Sequence, residues 1–366
     1  MSRRVYIAPP KYIQGPGVLQ SIGEEAAKYG KNFIAISDET VWDIISETVE
    51  EGFSNSDATV THETFAGVPS ESEADRIAKI GKENNVDGVI GFGGGASLDT
   101  AKFVANKLSV PVISAPTTAS SDSPTTHLSV VYTDDHEFER YEIYDNGPEL
   151  VIVDSELVVN APAEQFASGI ADAIATHVEA VASVKRNADT MTGSKYVLAG
   201  LGLSEKSEEI LFEKGLAAYL AVKENILTPQ VEDIIEANTL LSGVAAMNAG
   251  LSGAHAVHDG LYVLDGDVHD LSHGEKVAYG VLTHLVLIGE SAEVINRYAD
   301  FFNQLGLPTT LEDMHLDQVS SEDLVKVGEF ATSEDETMKN LDPSITAEQV
   351  ASAMLAVNEI TTSDLV

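Results

Sequence analysis

The chain has no cysteine, and it sets only 21 lysines and arginines against 59 aspartates and glutamates in 366 residues. The first absence excludes disulfides and a thiolate metal site, so any metal must rest on histidine, carboxylate or water. The second leaves a formal net charge of −38, which repels a phosphate backbone and argues against a nucleic-acid partner. A solvated acidic surface, suited to a saline cytoplasm or simply to solubility, accounts for this charge without an acid-specific partner. Long apolar runs are missing as well. Arg3 and Arg4 are followed by no apolar stretch of signal-peptide length, and the longest apolar candidate, 277–289, is interrupted by Tyr279, Thr283 and His284. No export or membrane insertion is expected, and the expected location is the cytoplasm.

The length exceeds what one compact core usually holds, so two domains are expected. Residues 1–160 alternate short β-rich runs (33–37, 88–92, 110–114 and 150–153) with helical stretches. That is the pattern of an α/β domain with a buried, Rossmann-like parallel sheet. Residues 161–366 change to long alanine- and leucine-rich segments at helical spacing, read as an all-α domain. Pro162 suits the start of its opening helix, and breaks at Pro229, Pro308 and Pro343 separate later ones.

In the first half, Gly91-Phe92-Gly93-Gly94-Gly95-Ala96 leaves a predicted strand and opens a predicted helix. Glycines let the backbone approach a pyrophosphate, and free N–H groups at the helix start point at the anion. The bland alternative is a packing turn, because the run is neither a P-loop nor a G-x-G-x-x-G. Asp38, at the end of the first strong strand, can bond a ribose hydroxyl and repel a 2′-phosphate, favouring NAD, although position alone favours a helix N-cap. The hydroxyl-rich loop 115–127 leaves another strand end, where uncharged donors suit a nicotinamide amide, a ribose or a polyol. Within it, Asp122 is either a substrate-hydroxyl acceptor or a turn-forming residue.

In the second half, Asp172 stands on an otherwise small, apolar helical face, where a carboxylate needs a partner. Six of the ten histidines fall at 177, 255, 258, 269, 273 and 284. His255 and His258 lie one helical turn apart and can face one cavity. A lone histidine is usually structural, whereas this grouping favours a metal site of imidazole and carboxylate ligands, suited to zinc or iron(II), without selecting which residues ligate.

Together these segments resemble the glycerol dehydrogenases of the iron-containing, or group III, alcohol dehydrogenase family. The resemblance runs through 10–15, 93–102, 120–124, 128–133, 167–173, 254–258 and 273–278, in order. It implies a dehydroquinate synthase-like architecture and reversible, metal-assisted, NAD-linked oxidation of glycerol to dihydroxyacetone. It also implies Asp172, His255 and His273 as metal ligands and Asp122 as the residue holding substrate. The implied cofactor contacts are Asp38, Gly94, Gly95, Ala96, Thr117, Ser120, Thr126, Leu128 and Tyr132. In such a mechanism His258 is either a proton relay or outer support of the ligands. Thr176 stands where the family's iron branch has a further histidine, which favours zinc over iron. An octamer or another large homo-oligomer is implied.

The sequence departs from the family pattern at several points. Ala96 replaces a common lysine, Thr126 and His127 replace smaller residues, His177 replaces an aromatic, and 247–250 differ from the usual lead into the His255 segment. Alternative readings are a related polyol, hydroxyketone or hydroxy-acid dehydrogenase, and, ranked lower, a glycerol-1-phosphate dehydrogenase or a dehydroquinate synthase. The last two need cations for a phosphorylated substrate, and residues 115–139 contain neither lysine nor arginine.

Overall fold

The computed structural model describes residues 3–135 and 137–362. Six strands, β1 (Tyr12–Gly15), β2 (Asn32–Ser37), β3 (Thr59–Thr64), β4 (Gly88–Gly93), β5 (Val112–Pro116) and, last in the chain, β8 (Leu150–Asp154), form one parallel sheet. Two more, β6 (Leu128–Tyr132) and β7 (Phe138–Ile143), pair as an antiparallel ribbon. The sheet order is β1-β8-β5-β4-β2-β3.

Alternation along β2 and β4 makes both faces of this sheet apolar. Phe33, Ala35, Ile90 and Phe92 enter one cluster, while Ile34, Ile36 and Val89 enter the other with Ala101 and Val104 of the helix Gly95–Leu108. A sheet covered on both faces in this way is the usual setting of parallel strands. Chain order reverses around β2, because β3 lies on one side of it and β4 on the other. Ligands of open α/β sheets bind beyond the carboxyl ends of strands at such a point. Here those ends carry Asp38, Gly94 and Thr117.

After Asp154 the described residues contain helices and no further strand. The helix Ala163–Arg186 runs through the centre of this region, with every residue from Phe166 to Thr176 buried. Pro162 is its N-cap, and breaks fall near the prolines: Pro229 opens a helix, and helices end at Gln304 and Leu341 before Pro308 and Pro343. Residues 277–287 belong to the mostly buried helix His273–Leu287, and no helix among the described residues is long and apolar enough to cross a membrane.

Two close backbone approaches join the layers. A Cβ on Gly169 would lie 1.8 Å from Ala119 O, and one on Gly274 would lie 2.0 Å from Ser168 O. Only glycine lets the Asp172 helix press on the hydroxyl-rich loop and lets the His273 helix seat on the Asp172 helix.

Candidate active site

The carboxyl ends of β2, β4 and β5 open into a cleft of about 400 Å³. Its walls include all the residues expected at the cofactor: Asp38, Gly94, Gly95, Ala96, Thr117, Ser120, Thr126, Leu128 and Tyr132. Asp122 and His273 line it as well. The helix Gly95–Leu108 has Gly94 as its N-cap, and its first intrahelical bond runs from Leu98 N to Gly94 O at 3.2 Å. The N–H groups of Gly95, Ala96 and Ser97 therefore precede the helical ladder and are free for an anion. A Cβ on Gly94 would meet nothing closer than Thr118 Oγ1 at 3.7 Å, so the missing side chain leaves space in the cleft and relieves no clash. That cradle fits a dinucleotide's pyrophosphate.

Asp38 serves as a helix N-cap and stands at the cleft. Its Oδ1 accepts from Val41 N at 2.8 Å as the N-cap of Glu39–Ser54, while the side chain also lines the cleft. The hydroxyl-rich loop is pinned from below by a buried pair, Lys102 and Asp99, 2.8 Å apart. Lys102 Nζ donates to Ser123 O at 3.0 Å and Thr126 Oγ1 at 3.1 Å, while Asp99 accepts from Ser123 Oγ at 2.6 Å and Val130 N at 2.9 Å. These two residues fix Thr126 and the start of β6 without entering the chemistry.

At the other end of the cleft, Asp172, His255 and His273 bring one ligand atom each within 4.8 Å of one another. Three helices supply them: Asp172 from the middle of Ala163–Arg186, His255 from Gly253–Gly260, and His273 as the first residue of His273–Leu287. His273 is held in place by a capping box between Ser272 and Glu275, and by Gly274 N donating to Ser168 Oγ at 2.9 Å. The Nε2 atoms of His255 and His273 each lie 3.2 Å from Asp172 Oδ1. Asp122 joins through its backbone N–H, which donates to Asp172 Oδ2 at 3.0 Å. Burial and the neighbouring Asp172 charge push the Asp122 carboxyl up to about 7.

The donor set fits a divalent cation. His255 Nδ1 lies 2.5 Å from Glu179 Oε2, and an ionised carboxylate only accepts, so Nδ1 carries the proton. A neutral His255 then aims an Nε2 lone pair at Asp172 Oδ1, and that contact needs a positive charge between or on its members. Burial opposes ionisation of Asp172, but the charges of His273 and His255 and their hydrogen bonds hold its carboxyl far below the ordinary carboxylate range. An outer carboxylate that fixes the tautomer of a ligating imidazole is a recurrent device of metal sites. Glu179 was not foreseen from the sequence, although its place seven residues after Asp172 on one helix puts both on the same face.

The other histidines of the sequence grouping do not join. His177 Nδ1 bonds Ser204 Oγ at 3.0 Å, His269 Nε2 bonds Leu264 O at 2.5 Å, and His284 is fully buried with neither ring nitrogen hydrogen-bonded. His258 is not on the cleft wall; it stands behind His273, its Nε2 3.0 Å from His273 Nδ1. That place suits outer support of a ligand. A neighbouring cavity shares Ala96, Tyr132 and His273 with the cleft and adds Lys276, a cation the sequence reading passed over. Lys276 Nζ lies 4.5 Å from the Tyr262 ring centroid, and burial pulls its ammonium down to about 8.

Comparison with known proteins gives the family. The family model for iron-containing alcohol dehydrogenase matches residues 9–155. A glycerol dehydrogenase of Escherichia coli is 40% identical over 97% of both chains. A glycolaldehyde reductase of Halobacterium salinarum is 41% identical, again over 97% of each. The crystal structure of glycerol dehydrogenase from Schizosaccharomyces pombe superposes with a TM-score of 0.95 at 35% identity, covering 99% of this chain and 92% of that one. With this likeness along nearly its whole length, the chain belongs to the iron-containing alcohol dehydrogenase family.

Proposed function

We propose that this chain catalyses the reversible NAD-dependent oxidation of glycerol to dihydroxyacetone, with a divalent metal held by Asp172, His255 and His273. The observation that carries the reading is one cleft with a glycine-lined helix start at one end and a buried aspartate–histidine–histidine group at the other. Full-length identity of 40% to a glycerol dehydrogenase supports the substrate. We assign zinc, because three nitrogen and oxygen ligands with an open position suit it. Thr176, in place of a third histidine, turns its hydroxyl to Ser242 Oγ at 2.8 Å. We place the domain boundary between residues 160 and 161, and expect a cytoplasmic homo-oligomer, an octamer by sedimentation.

When bound, the metal supplies Lewis acidity that eases loss of the alcohol proton, and NAD accepts the hydride. The chain's own residues supply position. Gly94, Gly95 and Ala96 hold the pyrophosphate by backbone N–H groups, Asp38 takes the adenosine ribose, and Thr117, Ser120 and Thr126 orient the nicotinamide half. Leu128 and Tyr132 exclude water from that wall, and Asp122 accepts from a terminal hydroxyl so that the secondary carbon faces the nicotinamide ring. Residues lining the cleft include no lysine or arginine, which disfavours a phosphorylated substrate there.

A second reading, reduction of a two-carbon hydroxyaldehyde by the same site, is supported by 41% identity to a glycolaldehyde reductase. The test is NAD-linked absorbance on purified protein with glycerol, 1,2-propanediol, dihydroxyacetone, glycolaldehyde and glycerol-1-phosphate, before and after chelation. Glycerol turnover lost on chelation and restored by zinc supports the first reading, and turnover of glycolaldehyde alone supports the second. Activity restricted to glycerol-1-phosphate sinks both.

A further inference from the structure

The helix that carries His255 continues to His258 and Asp259, and from there a line of hydrogen bonds crosses to the sheet half of the chain. Asp259 Oδ1 lies 2.7 Å from His258 Nδ1, and Asp259 Oδ2 accepts from the Tyr141 hydroxyl at 2.5 Å. His258 Nε2 lies 3.0 Å from His273 Nδ1. His258 and Asp259 are 3% and 2% exposed, so water does not substitute for a lost partner.

Each link constrains the next. An ionised carboxylate only accepts, so His258 Nδ1 carries a proton and donates it to Asp259. A neutral His258 then offers Nε2 as an acceptor, and His273 Nδ1 donates to it. What remains on His273 is an Nε2 lone pair directed at the Asp172 side, the form an imidazole must have to bind a metal. Tyr141 closes the line by occupying the second oxygen of Asp259, which leaves one oxygen to His258.

We infer that Asp259 and Tyr141 are positioning residues of the metal site, holding His273 through His258 as the neutral tautomer whose Nε2 faces Asp172. The inference rests on the metal reading proposed above. It assigns a role to the ribbon as well: β6 lines the cofactor cleft with Leu128 and Tyr132, while β7 carries Tyr141 to the outer support of the metal.

The test reads metal binding without turnover. Zinc is titrated into metal-stripped full-length protein against a chromophoric chelator, and the visible spectrum of the cobalt(II)-loaded form is recorded. Asp259→Asn offers His258 an amide that can donate or accept, freeing its tautomer, and should weaken zinc binding about 10- to 100-fold and shift the cobalt bands. Tyr141→Phe removes one hydroxyl, should move both readouts in the same direction by less, and decides the matter if Asp259→Asn does not fold. Unchanged melting of the metal-free variants with altered zinc affinity separates positioning from general support of the fold. Wild-type zinc affinity and an unchanged cobalt spectrum in both variants would overturn the inference. A wild-type protein that takes up no stoichiometric zinc would instead remove the metal reading itself.

Discussion

At one end of the cleft the wall is backbone and hydroxyl: Gly94, Gly95, Thr117 and Ser120, with Asp38 at the far strand. At the other end it is charge taken out of water, with Asp172 and Glu179 at 1% and 0% exposure and His255 between them. The first end works because atoms are missing, leaving room and N–H groups for a ligand. The second works because every atom has a partner, and a buried charge that loses its partner is expensive. The metal end is therefore broken by removing an atom and the cofactor end by adding one.

The largest effect tests the metal end. His273→Ala should abolish zinc retention and turnover together, measured as metal content after gel filtration and NAD-linked rate; wild-type turnover in a zinc-free variant would break the comparison at its base. Glu179→Gln comes next. It keeps the shape but removes the carboxylate that fixes His255, and should weaken zinc about 10- to 100-fold by chelator competition.

Protons give the same contrast a sign. Burial works against protonation of His255, but the Glu179 charge and the hydrogen bonds to Asp172 and Glu179 lift its pKa well above the ordinary value. Metal-free protein thus carries a proton there at neutral pH, and zinc binding should release it into weak buffer. In the metal-free state this raised pKa contributes stability that is complete below the unfolded value and lost as pH rises through the folded one. Melting of the metal-free protein should accordingly fall toward alkaline pH, and an unchanged melt with no proton release would show His255 neutral throughout.

How much of this was legible differs between the ends for physical reasons. The buried strands announced themselves as apolar runs, and the glycine-rich turn by its place between strand and helix. Strand β3 did not, because its residues are half exposed at the sheet edge and mostly polar. The β6–β7 ribbon was missed for a related reason: Phe138 to Ile143 is interspersed with charge. In the helical half, histidine density marked the neighbourhood but overcounted the members. His284 shows why, being buried like His255 yet without a carboxylate bonded to it, so that burial outweighs the nearby Glu179 charge and pulls its imidazole down to about 4. The discriminating feature is a shared carboxylate, because His255 and His273 both reach Asp172 Oδ1. Asp172 and Glu179, two turns apart on one helix, carried that signal for His255, whereas Tyr141 reaches Asp259 only through the tertiary fold.

The cofactor end should respond to additions, and two substitutions grade that response. Gly94→Ala suits the backbone, whose φ of −87° is ordinary for any residue, and its Cβ would meet no protein atom within 3.6 Å. Melting and zinc content should stay at wild-type values while NAD affinity, read by nicotinamide fluorescence, drops about tenfold, equivalent to about 1.4 kcal/mol. An unchanged affinity would mean that the pyrophosphate does not sit on the helix start. Ala96→Lys is the smallest and most telling change, because Ala96 is exposed on the same turn and lines both the cleft and the Lys276 cavity. A lysine there adds one solvated cation beside the phosphates, where an exposed ion pair contributes about 0.2–1 kcal/mol. NAD should bind more tightly by only a small factor, and the gain should vanish as salt rises, since added ions screen such a contact. A gain that persists in high salt would place the ammonium in a desolvated contact, and the cofactor end would then share the buried-charge character of the metal end.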